Sequence, residues 1–421
     1  MIFDCFTYFN EKEILDIRIN ELKPLGVTHV CVEADHTFVG NKKQVHQHDY
    51  DDFIHCVVSD MPNNGNPWDN EIHQRNYIKK ALEVLKPKDN DIIIISDVDE
   101  IPSASAIKQF TGNPSNIAMD MFGYYLNLKA GSSWIHAKCI TWKDLRSITC
   151  EEVRHTNFKN TLYGGWHFTW MGDASRLINK FKNFSHQEHE VQKHANIDNL
   201  KNKIKNKESL WSTDSWNLVP IDTMPEYVKN NTIQFKEFLQ LEHYYKTIGE
   251  DWFTYPNLYK SMVERFDDAH FVEVGSWKGR SSVYMGVEIF NSNKHIKFDC
   301  IDLWEYDSSQ NDLQEHMYNG LYETFLNNIK PLGNTINPIK GKSVECAKSY
   351  PDKSIDFVFI DAAHDYENVK ADISAWLPKV KPNGIIAGHD FDSSQGVRDA
   401  VKEFFSDFTT SEGCWIKEIK Q

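Results

Sequence analysis

The sequence lacks any apolar run near the roughly 18–20 residues that a membrane helix needs. Its longest apolar runs, at residues 92–96 and 355–360, have the length of strands. The first residues carry neither the basic segment nor the cleavage site of a signal peptide. The eight cysteines form no CxxC pair and no Cys/His cluster at zinc spacing, which predicts buried free thiols in a reducing compartment. These absences predict a cytoplasmic protein with no membrane span.

Basic residues are also in short supply. The chain has 61 acidic and 46 basic residues, a net charge of −15, and a field of that sign repels polyanions. We therefore expect no nucleic-acid partner. Aromatic residues make up 13 % of the 421 residues, which excludes a disordered chain and, at this length, favours two domains.

Strand and helix patterns alternate twice along the chain, which is typical of the α/β class. The first series has strands expected at residues 2–9, 27–33, 53–58 and 91–96, and further strands near 118–128 and 165–170. The second series has strands expected at residues 271–274, 296–301, 335–339, 355–360 and 384–387. We predict domains at 1–240 and 257–421, joined by a connection at 241–256.

The most informative segment of the first series is DIIIISDVDEIP, in which four isoleucines lead into Asp97 and Asp99. Ligands of open α/β sheets bind at the carboxyl ends of strands. Residues i and i+2 of an extended chain point the same way, so both carboxylates can meet one hard cation such as Mn²⁺ or Mg²⁺. The alternative is a solvated turn after a strand.

Six segments, CFTYFNE, VEADHTFVG, NEIHQR, SDVDEIP, GGWHFTW and FSHQE, occur in that order within residues 1–240. This set resembles glycosyltransferase family 17, the family of the bisecting β-1,4-N-acetylglucosaminyltransferases. The resemblance implies a GT-A-like nucleotide-sugar domain with a DxD motif. It also implies inverting transfer of N-acetylglucosamine from a UDP donor to a glycan or glycolipid acceptor.

The resemblance gives provisional roles to several side chains. Asp97 and Asp99 would hold the metal that neutralises the leaving diphosphate. His167 would be a third ligand or, alternatively, a packed strand histidine. Glu33 would contact the nucleotide. Arg75 would bind phosphate, or only pair with Glu71 one helical turn away.

An inverting transfer also needs a carboxylate that takes the acceptor proton. Asp173 and Glu188 follow the His167 segment and are the candidates, although either one can equally be a surface acid. Lys180 and His186 would line the same cleft, with Lys180 contacting substrate.

The segment FVEVGSWKGRSSVYMG predicts a strand, a tight turn and a helix. Gly275 and Gly279 would let a cofactor approach the backbone at the helix N-terminus. The segment is not GxGxxG, so the NAD fingerprint is not met. The next strand ends at Asp302, where an acid can bind ribose hydroxyls.

Together with KGKSVE, FVFIDAAHDYENVKADI and GIIAGHDF, this segment resembles the class I S-adenosylmethionine-dependent methyltransferases over residues 255–408. The match extends to a subgroup that includes sugar O-methyltransferases, which implies a Rossmann-like domain. The implied cofactor-binding residues are Glu273, Gly275, Ser276, Gly279, Ser281, Asp302, Ser343 and Asp361.

The resemblance also implies a second cation site. Some relatives hold Mg²⁺ between acids at two strand ends, which would be Asp361 and Asp390, with His364 or His389 as ligand or base. Alternatively, Asp361 only shapes the cofactor pocket and the histidines cap turns.

The two constellations predict a bifunctional enzyme that transfers a sugar and methylates a sugar hydroxyl. One alternative is a single catalytic domain beside a degenerate glycan- or cofactor-binding one. The other is a non-catalytic scaffold, since a fold by itself does not establish a function.

Overall fold

The computed structural model describes residues 1–306 and 314–420. The chain divides into two compact units, Met1–Gln240 and Leu241–Gln421. Residues 241–256, which the sequence assigned to a connection, belong to the second unit in this division. No helix in the described part of the chain is long and apolar enough to cross a membrane.

The first unit is built on one mixed sheet of ten strands in the order β10-β7-β6-β8-β4-β1-β2-β3, with β9 pairing β5 and β6. Its strands are β1 Ile2–Tyr8, β2 Thr28–Ala34, β3 Phe53–Val58, β4 Ile92–Asp97, β5 Glu100–Pro102, β6 Ser115–Tyr124, β7 Leu128–Trp134, β8 Lys138–Thr141, β9 Asn160–Met171 and β10 Asn217–Leu218. Strands β4, β1, β2 and β3 are parallel neighbours. Ile93, Ile94 and Ile95 of β4 are buried, as expected of a strand covered on both faces.

Nine α-helices are described in the first unit. They are α1 Lys12–Leu22, α2 Pro67–Leu85, α3 Ala104–Ile107, α4 Trp142–Leu145, α5 Cys150–His155, α6 Ala174–Asn183, α7 His189–Gln192, α8 Ile197–Asn206 and α9 Glu226–Asn230. Helix α2 begins at Pro67 because the Asn66 side chain accepts a hydrogen bond from the Trp68 amide, and proline needs no amide partner in a first turn.

The second unit has a seven-stranded sheet in the order β13-β12-β11-β14-β15-β17-β16. Its elements are α10 Pro256–Arg265, β11 Asp268–Val274, α11 Arg280–Ser292, β12 His295–Asp302, α12 Leu321–Ile329, β13 Asn337–Lys340, α13 Ser343–Ala347, β14 Ile355–Ile360, α14 Tyr366–Trp376, β15 Val380–Gly388, α15 Gln395–Phe404, β16 Thr409–Ser411 and β17 Cys414–Glu418. Strands β11 to β15 are parallel, whereas β17 is antiparallel to β15. The chain first adds β12 and β13 on one side of β11 and then returns to add β14 and β15 on the other side. This switch point between β11 and β14 is where a doubly wound sheet has its binding crevice.

Candidate active sites

Asp97 and Asp99 lie at the end of a buried strand, but the chain turns between them. Strand β4 ends at Asp97, and Val98 and Asp99 form a turn before β5. The argument from extended geometry therefore does not apply beyond Asp97. Both side chains nevertheless line one cavity of about 220 Å³, together with Thr7, Lys43 and Lys180.

The Arg18 side chain holds this turn in place through hydrogen bonds to its backbone. The Arg18 side chain is fully buried on α1, and its Nη1 donates to the carbonyls of Asp97 at 3.1 Å and Glu100 at 2.8 Å. Its Nε donates to the Asp4 carboxylate at 2.8 Å. One guanidinium thus joins β1 to the backbone that presents the two aspartates.

The Asp97 carboxylate is strongly engaged by cations. Arg154 Nη2 lies 2.8 Å from Oδ2, Arg75 Nη2 lies 3.5 Å from Oδ1, and the Thr7 hydroxyl donates to Oδ1 at 3.0 Å. Burial raises the pKa of Asp97, but the charges of Arg154 and Arg75 outweigh burial and hold that pKa well below its usual range. Asp97 is therefore ionised at neutral pH.

Arg75 makes the helical pair that was the alternative to phosphate binding. It contacts Glu71 at 2.5 Å and also pairs with Glu151. It still lines the cavity, and its buried Nε has no hydrogen-bond partner within the described ranges.

His167 is not drawn into a three-ligand cluster with the aspartates. Its Nε2 lies 3.8 Å from Asp99 Oδ1, and its ring stacks on Trp134 at 4.4 Å between centroids. Burial lowers the pKa of His167, which keeps the ring neutral. Within residues 1–306 and 314–420, three potential ligand atoms come within 4.8 Å of one another in two places, and neither includes Asp97, Asp99 and His167. His167 therefore packs on Trp134 beside Asp99, and because its buried Nδ1 has no hydrogen-bond partner among the described residues, the ligand role stays a prediction.

The two candidate bases differ in their placement. Asp173 is exposed and accepts the Arg176 amide at 2.8 Å as the cap of α6, and it does not line the cavity, so the structure does not support it as base. Glu188 is exposed beside the cavity, where it accepts a hydrogen bond from Trp68 Nε1 at 3.3 Å.

Glu11 is a cavity acid that sequence reasoning missed. It lines the cavity with Asp97 and Asp99, and its carboxylate accepts the Asn10 amide at 3.0 Å. The available signal was its position directly after β1, at the carboxyl end of a central parallel strand.

Glu33 does not line the cavity, contrary to the predicted nucleotide contact. It is fully buried and pairs with Lys43, which does line the cavity, and with His46 and His55. Burial raises the pKa of Glu33, but the hydrogen bonds from His55 and Lys43 outweigh burial and lower it to about 2. Glu33 therefore positions Lys43 from behind the cavity wall. Lys180 does reach the cavity, where its Nζ lies 3.3 Å from Asp99 Oδ2.

In the second unit, the ends of β11 and β14 touch through their backbones. Gly275 follows β11 with φ +90°, and a Cβ at this position would lie 2.0 Å from the Asp361 carbonyl oxygen. Gly279 precedes α11 with φ +88°, and Ser276 and Ser281 lie on either side of this turn. Only glycine fits at position 275. This turn lies at the switch point of the sheet, where the binding crevice is expected.

Three predicted cofactor residues already have protein partners. Asp302 accepts the amides of Trp277 at 2.9 Å and Trp304 at 2.7 Å, and these bonds fix its carboxylate at the end of β12. Glu273 is buried and accepts hydrogen bonds from Tyr259 at 2.8 Å and from Ser282, and its contact with the methionine end of the cofactor stays a prediction. The Ser343 hydroxyl accepts the Trp376 indole N–H at 2.9 Å.

Asp361, His364 and Asp390 converge at the ends of β14 and β15. Their potential ligand atoms lie within 4.8 Å of one another, and His364 Nε2 is 3.1 Å from Asp390 Oδ2. Tyr255, which the sequence did not predict to contact this set, donates to Asp361 Oδ2 at 2.7 Å. Burial raises the pKa of Asp361. Two carboxylates and an imidazole are a donor set that suits Mg²⁺ or Mn²⁺.

His389 stands beside this set. Its Nδ1 lies 3.3 Å from Asp390 Oδ2, and its Nε2 lies 3.0 Å from the Thr254 hydroxyl. Burial lowers the pKa of His389, but the Asp390 and Asp361 carboxylates outweigh burial and raise it overall.

Family models match both halves of the chain. The model described as Glycosyltransferase family 17 matches residues 1–220, and the one described as Methyltransferase domain matches residues 272–391. The expected pair of α/β domains is thereby confirmed. An uncharacterized protein of Sinorhizobium fredii, y4gI, is 23 % identical over 132 residues, and the chain spans 14 % of the length of this curated relative.

Two solved O-methyltransferase structures resemble the chain over less than half of its length. The O-methyltransferase NovP is 14 % identical with a TM-score of 0.35, covering 40 % of this chain and 80 % of its own. An O-methyltransferase from Bacillus cereus in complex with SAH is 16 % identical with a TM-score of 0.29, covering 38 % of this chain and 78 % of its own.

Proposed function

Because this chain belongs to glycosyltransferase family 17 and also carries a methyltransferase domain, we propose that it is a bifunctional enzyme that builds and then methylates a glycan. The first unit would transfer N-acetylglucosamine from a UDP donor to a glycan or glycolipid. The second would methylate a sugar hydroxyl with S-adenosylmethionine. Joining the two sites in one chain raises the effective concentration of the first product at the second site.

The observation that carries the glycosyl-transfer half is the cavity into which Asp97 and Asp99 face beside Lys43, Lys180 and Arg75. Carboxylates with adjacent cations suit a nucleoside diphosphate, because the cations bind phosphate directly and the carboxylates bind it through a divalent ion. Such an ion, held by Asp97 and Asp99, would stabilise the leaving diphosphate. Glu11 and Glu188 are the acids placed to accept the acceptor proton, with Glu11 on the cavity wall and Glu188 at its rim.

Neutralising Asp97 tests this half. Asp97→Asn keeps the size of the side chain and removes the charge that a metal needs, so we expect nucleoside-diphosphate release to fall at least about tenfold. The measurement is release from a panel of nucleotide sugars with a glycan acceptor, with and without Mn²⁺. Wild-type protein should respond to one UDP sugar and depend on Mn²⁺.

Two further variants sharpen this test. Asp99→Asn should show the same loss without removing a partner of Arg154, which separates catalysis from folding. Asp89→Asn, an exposed acid paired with Arg146, should behave as wild type. Full release by both cavity variants would contradict the assignment of these aspartates, whereas no release by the wild type from any nucleotide sugar would favour a degenerate first domain that only binds glycan.

The methyl-transfer half rests on the Asp361, His364 and Asp390 set next to the Gly275 turn. A cation held there would acidify a sugar hydroxyl and orient it toward the methyl group. His389 lies beside both carboxylates and is placed to take the hydroxyl proton. Asp361 itself is oriented by the Tyr255 hydroxyl.

Asp390→Asn tests the cation in this half. We expect methyl transfer from S-adenosylmethionine to sugar acceptors to fall at least about tenfold, because a metal ligand is weakened. The dissociation constant of S-adenosylhomocysteine, measured by calorimetry, should stay within about threefold of the wild-type value. Asp390 is assigned to the cation that contacts the sugar acceptor and not to the cofactor. The exposed Asp352→Asn is the matched control. A methylation rate that EDTA leaves unchanged would exclude the cation from this step.

A further inference from the structure

Cys31, His48 and His55 form a second cluster of metal-ligating side chains in the first unit. Cys31 on β2 is paired in register with His55 on β3, so both side chains stand on one face of the sheet. His48 comes from the segment between these strands. One potential ligand atom from each residue lies within 4.8 Å of the others.

The environment of the His48 side chain is the observation that points to a bound metal ion. Its side chain is only 1 % exposed, and neither ring nitrogen has a hydrogen-bond partner in the described part of the chain. Aromatic rings of Tyr8 and Phe53 lie 5.0 and 5.2 Å from its ring. A buried polar group without a partner is costly, and an unplaced ion is one of its few explanations.

Glu33 offers a fourth donor on the same face of β2. Its Oε2 lies 3.0 Å from His55 Nε2 and 3.7 Å from His48 Nε2, whereas Oε1 is taken by Lys43 and His46. A thiolate, a carboxylate and two neutral imidazoles carry two negative charges. Those charges offset a divalent cation, while the Lys43 ammonium stays paired with Glu33 Oε1.

We propose that Cys31, His48, His55 and Glu33 bind one Zn²⁺ as a closed structural site. Sulfur, imidazole and carboxylate ligands together favour zinc over the hard cations, which avoid thiolates. Ligand atoms around tetrahedral zinc are about 3.3–3.7 Å apart, so binding would draw Cys31, His48 and His55 together by up to about 1 Å. The sequence did not reveal the site because its ligands come from two strands and the intervening segment, and strand register alone brings them together.

The site would fix one wall of the proposed nucleotide-sugar cavity. Residues Thr37, Phe38 and Lys43 of that wall belong to the same β2–β3 segment as His48. This step rests on the proposed function, whereas metal binding itself does not. Zinc would therefore act on glycosyl transfer through loop position and not through contact with substrate.

The experiment is metal binding by the purified full-length chain. After treatment with a chelating resin, Zn²⁺ is titrated and counted by mass spectrometry, and Co²⁺ is titrated in parallel by absorption. We expect one Zn²⁺ per chain at this site and a thiolate-to-cobalt charge-transfer band. That band separates this site from the Asp361 set, which contains no sulfur. Cys31→Ser should abolish the band, and His48→Ala should weaken Zn²⁺ binding at least about tenfold.

Cys56→Ser is the matched control, because Cys56 is a half-buried cysteine next to His55 on β3 that lies outside the cluster. It should bind both metals as wild type does. Circular dichroism of each variant reports whether it is folded. Absence of the charge-transfer band in the wild type, or equal losses in Cys56→Ser and Cys31→Ser, would overturn the proposal. Either result leaves the glycosyl-transfer assignment standing on its own test.

Discussion

Replacing Arg18 with methionine is expected to lower the free energy of unfolding of the first unit by about 3–5 kcal/mol. The change leaves the fully buried Asp4 carboxylate without its guanidinium partner, and among the described residues only the His29 ring still hydrogen-bonds to it. Burial raises the pKa of Asp4, but Arg18 and His29 outweigh burial and lower it to about 2, so the carboxylate is charged at neutral pH. An uncompensated charge of this kind is among the most costly defects in a folded protein.

The substitution should also destabilise the turn that carries Asp97 and Asp99. Without Arg18, the carbonyls of Asp97 and Glu100 lose their donor, and nothing else on α1 contacts them through a described hydrogen bond. Hydrogen exchange measured by mass spectrometry should therefore show faster exchange in peptides from β1 and from the β4–β5 turn. The melting transition of this unit should fall by roughly 6–20 °C, since each kcal/mol moves a domain of this size by about 2–4 °C.

Two variants distinguish charge imbalance from lost packing. Arg146→Met removes a half-exposed guanidinium that pairs with Asp89, and it should change stability by less than about 1 kcal/mol. Combining Asp4→Leu with Arg18→Met removes both charges and should recover part of the stability. If the double variant is less stable than Arg18→Met alone, the ion pair is not the source of the effect.

The parallel strands were predictable because their sequence pattern and their environment agree. The isoleucine run of β4 predicts a central strand covered on both faces, and in the structure β4 pairs with β1 and β8 while Ile93, Ile94 and Ile95 are buried. Alternating strands and helices likewise predicted β11 to β15. In these segments, local preference and tertiary packing favour the same conformation.

Strand β7 and the β16–β17 hairpin, which are antiparallel, were not predicted, and the reasons can be identified. Strand β7 reads LKAGSSW, in which apolar residues alternate with polar ones only over the first three positions, and its extended conformation comes from pairing with β6. The β16–β17 hairpin turns at Glu412 and Gly413, both with positive φ. A two-residue turn ending in glycine was the available signal, although glutamate is an unusual first residue for it.

The position of each candidate site in the fold was predictable from the sequence, but the hydrogen bonds and ion pairs around its residues were not. Asp97 was predicted because ligands of an open α/β sheet bind at the carboxyl ends of its strands, whereas Asp361 and Asp390 were predicted from the resemblance to methyltransferases. The sequence could not show that Arg18 pairs with Asp4, that Glu33 pairs with Lys43, or that Tyr255 donates a hydrogen bond to Asp361. Each of those contacts joins segments far apart in the chain, and only the register and packing of the fold bring them together.

Replacing Gly275 with valine should remove S-adenosylmethionine binding almost completely, raising the dissociation constant at least about a hundredfold. The new Cβ would meet the Asp361 carbonyl oxygen at 2.0 Å and the Ala362 Cα at 2.8 Å, both of them backbone atoms that cannot rotate away. The backbone at φ +90° adds strain for any other residue. Relief requires the ends of β11 and β14 to separate, and these ends form the crevice assigned to the cofactor.

Gly320→Ala separates the clash from the strain. Gly320 also has positive φ, at +66°, but a Cβ there meets nothing within 4 Å. That variant should lose only about 1 kcal/mol of stability and bind S-adenosylmethionine as wild type does in a calorimetric titration. Gly275→Ala, which adds the clashing atom alone, should fall close to the valine variant because the contact is made by Cβ itself. Binding within about threefold of wild type in Gly275→Ala would mean that the cofactor does not depend on this crevice, and the assignment of Gly275, Ser276 and Asp302 would then fail together.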